Sequence, residues 1–285
     1  MASETQHPHL PLPDYFSKFA SVYVHQTGNS TLDILSDVIT ENVQTSANPI
    51  GADSVVHDNA AGPGIGAAAL VARLPKEQLP KELLVSDNVA MMVTAAQESL
   101  TASPLPHVEC KELGSQDLSS VPDNHFTHSI TNFSIFTFAR PADAVREIHR
   151  TLRPGGLALI TCWRRFAPWL IVKAAQAKTR PDSVPNMPTP NPQFFEEGVL
   201  QKTVEEGGFS KDGITVVDKV FTVTDERKIA GLEMLISGPL MAKAREGYTE
   251  AEEAAWAGNV KLAVADEVKK NGGVRFEVYI LLATK

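Results

Sequence analysis

The stretch from residue 55 to residue 73 combines residue types that can bind a nucleotide-like ligand. It starts with two β-branched valines, which suit a buried parallel strand, and Asp58 follows where that strand would end. Gly62, Gly64 and Gly66 lack Cβ atoms, so the backbone can bend sharply there and approach a ligand closely. Open α/β sheets bind ligands at the carboxyl ends of their strands. The stretch therefore predicts a strand, a binding turn and the start of a helix.

The spacing of this turn leaves more than one interpretation open. Gly62, Gly64 and Ala67 match the dinucleotide pattern G-x-G-x-x-G/A. A dinucleotide loop usually runs straight from apolar strand into glycine, however, whereas Asp58 precedes Gly62 by four residues. A P-loop is excluded because no Gly-Lys-Ser/Thr follows. The remaining alternative is a tight strand–helix turn that binds nothing.

A second acidic residue, Asp87, ends the next predicted strand, at 81–87. It follows Gly66 by 21 residues, close to the interval of about 20 at which an acid binds ribose hydroxyls in this architecture. A carboxylate can accept hydrogen bonds from both hydroxyls at once. Alternatively, Asp87 only caps the helix predicted at 89–99.

The elements that position these acids alternate along the chain in the manner of an α/β fold. The first strand begins at residue 55 and the fourth ends near residue 132. Further strands are predicted at 107–113, 157–163, 214–223 and 274–284, and further helices at 15–24, 32–43, 67–74, 142–152, 166–177, 194–207, 227–244 and 251–270.

The bulk composition narrows the function classes. The 285 residues carry a net charge of −8, which argues against nucleic-acid binding. Cys110 and Cys162 are too few for a disulfide framework or a zinc site. No secretory signal or membrane span is expected, and a cytoplasmic setting follows. No acid–base pair or metal cluster stands out, and His125, His128 and His149 fit core or surface positions.

Two motifs resemble those of class I S-adenosylmethionine (SAM) methyltransferases. Residues 58–64, DNAAGPG, resemble the acidic-x-Gly-x-Gly-x-Gly turn, with Ala60 replacing the first glycine. SAM carries an ammonium and a sulfonium but no pyrophosphate, so an acid and exposed carbonyls suit it. Residues 144–156, AVREIHRTLRPGG, resemble the E-x-x-R-x-L-(K/R)-P-G-G element of the type 11 group. The chain also resembles fungal small-molecule methyltransferases of secondary metabolism in its size, its DNAxG turn and a helical insertion before the last strand.

The resemblance implies a set of site residues. The catalytic residues stay unassigned, Phe133 and Trp163 are the candidates for substrate contact, and Tyr23 and Met92 could instead be packing residues. The cofactor candidates are Tyr23, Asp58, Ala60, Gly62, Gly64, Asp87, Asn88, Met92, Ser115, Gln116 and Asn132.

The resemblance also implies the architecture. It is a Rossmann-like α/β fold with a seven-stranded, mostly parallel sheet of order 3-2-1-4-5-7-6, whose last strand is antiparallel. Residues 1–285 would form one domain, with an N-terminal helical lid at 14–50 and a helical cap inserted at 224–272.

The function expected from the resemblance is SAM-dependent methyl transfer to sulfur, oxygen or nitrogen of a hydrophobic small molecule. The protein would act as a monomer or homodimer, without nucleic acid, membrane or metal. A SAM-binding enzyme that catalyses a non-methylating rearrangement, and a methyltransferase-like regulatory or binding protein, are alternatives. A protein substrate also stays open.

Overall fold

Seven strands form one sheet in a computed structural model that describes residues 28–183 and 191–285. The strands are β1 (Val55–Asn59), β2 (Glu82–Asp87), β3 (Val108–Glu112), β4 (Phe126–Asn132), β5 (Leu152–Arg165), β6 (Ile214–Val223) and β7 (Val274–Thr284). Their order is β3-β2-β1-β4-β5-β7-β6, and the first five are parallel. The predicted Rossmann-like fold is thereby confirmed.

The last strand runs antiparallel to β5, as expected. At one end, the Gly155 N–H donates to the Lys285 carbonyl over 2.8 Å, and the Lys285 N–H donates to the Gly156 carbonyl over 3.0 Å. At the other end, the Trp163 ring lies 5.5 Å from the Phe276 ring. These pairings match the beginning of β5 with the end of β7.

The helices alternate with the strands as the periodicity predicts. They are α1 (Gly28–Val38), α2 (Ile65–Arg73), α3 (Ala90–Leu100), α4 (Pro141–Thr151), α5 (Ala167–Thr179), α6 (Val199–Glu206), α7 (Glu226–Ser237) and α8 (Glu250–Asn271). A π-helical turn at Ile39–Val43 extends α1.

Three predicted boundaries were wrong for local reasons. The helix predicted at 227–244 is interrupted, and a 3-10 segment begins at Pro239, which has no N–H to continue the α7 ladder. The helix predicted at 194–207 begins only after Gly198, whose φ is 82°. The strand predicted at 157–163 begins earlier, because β5 starts at Leu152 and includes Gly155 at φ 76°.

The chain divides into two compact units. Among the described residues, the core unit comprises 28–162, 191–218 and 279–285. The helical unit comprises 163–183 and 219–278. In the core unit all five residues of β1 are buried, because a central parallel strand is covered on both faces. Polar β1 side chains therefore need partners inside the protein.

Candidate cofactor site

A cavity of about 370 Å³ lies in the core unit at the carboxyl ends of β1 to β4. Its size is within the range of about 300–1,000 Å³ typical of small-molecule pockets. Its described walls come from segments 60–65, 87–92, 114–116 and 132–139, with Thr31 from α1. Four strand ends thus contribute to one site, as the fold class favours.

The glycine turn after β1 is held in a conformation that few residues adopt. Ala60 has φ 50°, Gly62 has φ 55° and Gly64 has φ 87°. Positive φ is unfavourable for alanine, so Ala60 carries backbone strain of the kind that clusters at binding sites. The Gly62 N–H donates to Asp87 Oδ2 over 2.8 Å, and this bond ties the turn to β2.

Asp58 stabilises the start of the helix that follows this turn. Its side chain is 1% exposed, and Oδ2 accepts from the Ala67 N–H at 3.0 Å in the first turn of α2. Burial raises the pKa of Asp58 to about 7, with the Ala67 N–H acting against that rise. A Cβ added to Gly66 would lie 2.4 Å from Asp58 Oδ1, which explains the glycine. The structure therefore directs Asp58 at the helix start, away from the cavity lining.

Asp87 lines the cavity and also organises its backbone. Oδ1 accepts from the Val89 N–H at 2.9 Å, while Oδ2 accepts from Gly62. Burial raises the pKa of Asp87, and these backbone donors partly counteract the rise. Asp87 does not cap α3, which begins at Ala90 after an N-cap at Val89 that has no side-chain cap bond, and its position in the cavity leaves ribose binding as a compatible prediction.

The other predicted site residues divide between the cavity and the protein interior. Gly64 faces α3, where an added Cβ would lie 3.5 Å from Ala96. Trp163, in the helical unit, is 3% exposed and packs against Phe166 and Phe276, so its described contacts are those of a core residue. Tyr23 lies outside the described residues. The structure brings together Ala60, Gly62, Asp87, Asn88, Met92, Ser115, Gln116, Asn132 and Phe133 around the cavity.

The segment 134–139 also lines the cavity and was missed by the sequence analysis. Its position directly after the carboxyl end of β4 was the available signal. Asn191 Nδ2 donates to the carbonyls of Phe136 and Phe138 at 2.9 and 2.8 Å. Gln116 Oε1 accepts from the Arg140 N–H at 2.5 Å, so this side chain joins two walls of the cavity.

Titratable groups near the site are mostly engaged in the core. Asp87 is the one ionisable side chain among the described residues that line the cavity. Burial lowers the pKa of His57 to about 3, and its Nε2 lies 2.8 Å from Ser86 Oγ. His128 Nε2 lies 3.0 Å from the Asn48 carbonyl. The described residues hold no group of three or more potential metal ligands.

Glu147 and Arg150 show that the motif at residues 144–156 has a structural role. The two side chains form a bidentate pair at 2.8 Å. Glu147 accepts from the Leu118 N–H, and Arg150 donates to the carbonyls of Leu118 and Val121. The motif fastens α4 to the loop after β3.

The strand order, the glycine turn after β1 and the acid ending β2 are those implied by the resemblance to class I SAM methyltransferases. Residues 59–160 match the family described as "Methyltransferase domain". The match covers part of the chain and agrees with the predicted resemblance to class I SAM-dependent methyltransferases.

Similarity to curated and solved proteins agrees with this resemblance. Methyltransferase tpcH of Aspergillus fumigatus is 28% identical over 58% of this chain and 60% of its own length. Methyltransferase ucsB of an Acremonium species is 27% identical over 52% and 51%. The chain thus spans between half and two thirds of these relatives. The YcgJ protein of Bacillus subtilis shares the fold, with TM-score 0.53, 15% identity and coverage of 90% and 98%.

None of the helices in the described ranges 28–183 and 191–285 is both long and apolar enough to span a membrane.

Proposed function

We propose that this protein is a SAM-dependent methyltransferase that acts on a hydrophobic small molecule. The observation that carries the proposal is the arrangement of Asp87 beside the glycine turn in a cavity built from four strand ends. SAM, when bound, supplies an electrophilic methyl group on a sulfonium. The chain's task is then to hold that group and the acceptor in line.

The residues fit the cofactor because Asp87 retains acceptor capacity. An ionised carboxylate has about four lone-pair sites. Two of them are used by the Gly62 and Val89 N–H groups. The remaining acceptor capacity of the carboxylate can serve a vicinal diol such as the 2′ and 3′ hydroxyls of ribose. The same backbone bonds fix the carboxylate, so little ordering is needed on binding.

The rest of the cavity suggests how the cofactor lies along the sheet edge. With ribose at Asp87, adenine would lie toward Asn88, Met92 and the backbone of Ser115 and Gln116. The amino-acid end would then extend past Ala60 and Gly62 toward Asn132, because β4 lies beside β1 in the sheet and these residues line the same cavity. Tyr23, in the lid proposed at 14–50, remains a candidate for the same end.

The cavity wall near Asn132 favours an apolar acceptor. Phe133 and Phe138 both line this part of the site. Holding the acceptor atom within about 3–3.5 Å on the methyl's axis can supply much of the acceleration. Since Asp87 is the lone ionisable group in the described lining, a thiolate or neutral amine suits the site better than a hydroxyl, which needs a base.

The wider assignments are part of the same proposal. A small apolar acceptor fits a role in secondary metabolism and a cytoplasmic setting, with a monomer or homodimer as the working unit. We propose one domain over 1–285, with a lid at 14–50 and a helical cap insertion at 224–272.

Calorimetric titration tests the cofactor assignment. Wild-type protein should bind SAM and S-adenosylhomocysteine but not NAD. Asp87→Asn should weaken SAM binding by about tenfold or more, because one buried acceptor becomes a donor. Glu82→Gln is the matched control, since Glu82 is exposed at the opposite end of the same strand. Equal affinity for SAM in the Asn variant and the wild type would refute the ribose assignment.

Product analysis tests the reaction. Incubation with SAM and a panel of apolar thiols, amines and phenols should give a product heavier by one methylene, together with S-adenosylhomocysteine. A product with the same mass as the substrate would indicate that the enzyme catalyses a rearrangement and not methyl transfer. SAM binding without turnover of any panel member would favour a regulatory protein.

A further inference from the structure

Thr161 lies behind the cavity, on β5, where it pairs with Asn132 of β4 in the parallel register. Its side chain is fully buried, and it is not among the described residues that line the cavity. A buried hydroxyl must satisfy its hydrogen bonds within the protein. Its partners therefore show what Thr161 does.

Both partners of Thr161 belong to the cavity wall. The hydroxyl donates to Asn132 Oδ1 at 2.8 Å and accepts from the Phe133 N–H at 3.0 Å. A hydroxyl has a single proton, so the proton is committed to Asn132. The amide oxygen of Asn132 is consequently the atom that faces Thr161.

The opposite orientation of the Asn132 amide is disfavoured by the same contacts. If the amide nitrogen faced Thr161, the hydroxyl would accept from both neighbours. Its proton would then have no acceptor in a fully buried position, which is costly. The network thus leaves the Asn132 NH₂ group free to act as a donor at the cavity.

The second bond of Thr161 holds a strained residue. Phe133 has φ 49°, in the left-handed region that non-glycine residues rarely adopt. Its N–H is fixed by the Thr161 oxygen, and its ring lines the cavity. One buried hydroxyl therefore controls two neighbouring groups at the end of β4.

We propose that Thr161 is a positioning residue that fixes the Asn132 amide as a hydrogen-bond donor to the amino-acid carboxylate of SAM. This inference rests on the proposed function, in which that end of the cofactor lies beside β4. A carboxylate is an acceptor and matches the free NH₂ group. An oxygen of the methyl acceptor has the same hydrogen-bonding chemistry and is separated by the test below.

The test compares two ligands that differ at the amino-acid end. Calorimetry is run with SAM and with 5′-methylthioadenosine, which keeps adenosine and sulfur but lacks the carboxylate. Thr161→Val should weaken SAM binding by about tenfold and leave methylthioadenosine binding within about twofold. Thr161→Ser retains the hydroxyl and should restore SAM affinity.

A second variant tests the donor directly and spares the buried position. Asn132→Asp still accepts from Thr161 but presents an oxygen in place of the NH₂ group. It should lose SAM affinity by more than Thr161→Val, through repulsion with the carboxylate, and keep methylthioadenosine affinity.

Each contrary result has a distinct meaning. Equal weakening of both ligands by Thr161→Val would overturn the inference in favour of a purely structural role. Unchanged SAM affinity in Asn132→Asp would overturn it in favour of contact with the methyl acceptor or none. If wild-type protein binds neither ligand, the proposed function falls, and this inference falls with it.

Discussion

Buried charged side chains have different partners in two regions of the molecule. One region, the cavity edge, comprises the carboxyl ends of β1, β2 and β4 and the turns that follow them, and the other is the helical unit. At the cavity edge, Asp58 and Asp87 accept only from backbone N–H groups, and burial raises the pKa of both. In the helical unit, Arg165 forms a bidentate pair with Glu267 at 2.9 Å. Glu267 therefore has a cationic partner, whereas Asp58 and Asp87 are bonded to backbone N–H groups alone.

Backbone geometry shows the same contrast. The cavity edge includes Ala60 and Phe133 at positive φ. In the helical unit, α8 begins with a complete capping box between Thr249 and Glu252. Backbone strain is characteristic of binding sites, whereas capped helices and paired charges stabilise the fold. Variants of the two regions should therefore differ in how far they lose stability and how far they lose SAM affinity.

The largest loss of stability is expected from Glu267→Ala. It would leave Arg165, which is 19% exposed, without its carboxylate partner and with only the Arg275 carbonyl as acceptor among the described residues. Breaking a buried pair in this way costs about 3 kcal/mol. Urea unfolding should show the loss, while calorimetry on the folded variant should give wild-type affinity for SAM. A parallel fall in SAM affinity would break the distinction between the two regions.

Gly66→Ala should give the next largest effect and should impair both properties. The new Cβ would approach the Asp58 carboxylate to within 2.4–2.7 Å. Overpacking of this kind costs about 2 kcal/mol, and displacement of the turn should reduce SAM affinity. Gly258→Ala, at a helical position with open space around it, is the control. Wild-type SAM affinity in Gly66→Ala would show that the turn tolerates displacement.

Asp58→Asn should change how stability depends on pH. The folded pKa of Asp58 is about 7, above its model-compound value of 3.8, so this group's contribution to stability is lost as pH rises from about 4 to 7. The pKa of His57 is about 3, below its usual 6.5, so its contribution grows over much of the same range. The two effects oppose each other in the wild type.

Removing the Asp58 carboxyl should expose the His57 effect. Stability of Asp58→Asn, measured by urea unfolding at intervals from pH 4 to 8, should rise with pH more steeply than that of the wild type. Asp53→Asn, at an exposed position, should follow the wild-type curve. Parallel curves for Asp58→Asn and wild type would mean that Asp58 titrates normally.

The smallest effect is expected from Asp266→Asn, beside Glu267 on α8. Asp266 is 66% exposed and pairs with Lys178 at 2.9 Å. Surface pairs of this kind contribute between about 0 and 1 kcal/mol. Thermal unfolding should therefore hardly distinguish this variant from the wild type. A loss of stability comparable to that of Glu267→Ala would show that burial does not determine how much an ion pair of the helical unit contributes to stability.

Much of the fold was predictable because local patterns agreed with the tertiary structure. The bounds predicted for β6 and β7, at 214–223 and 274–284, are those observed. Alternating and apolar runs set these strands, and glycine turns separate them from the helices. The break at Pro239 was also a local signal and was overlooked.

The site was predictable by residue type more than by role. Spacing pointed to Asp87 and Gly62, which meet at 2.8 Å. It did not distinguish Asp58, whose carboxylate accepts from the Ala67 N–H in the first turn of α2, from a residue that lines the cavity. Nor did it separate Trp163, which packs in an aromatic cluster, from Phe133, which lines the cavity. The direction of a side chain depends on packing partners distant in sequence, which one local window does not contain.

The sequence by itself determined the alternation of strands and helices, the glycine turn and the acid that ends β2, since these depend on periodicity and on the absence of a Cβ atom. The tertiary structure alone decided the contacts across strands. Thr161 reaches Asn132 and Phe133 because β5 lies beside β4 in one register. Hydrogen bonds between residues 28 or 29 positions apart form only when the sheet assembles, so the direction of the Asn132 amide could not be read from the chain.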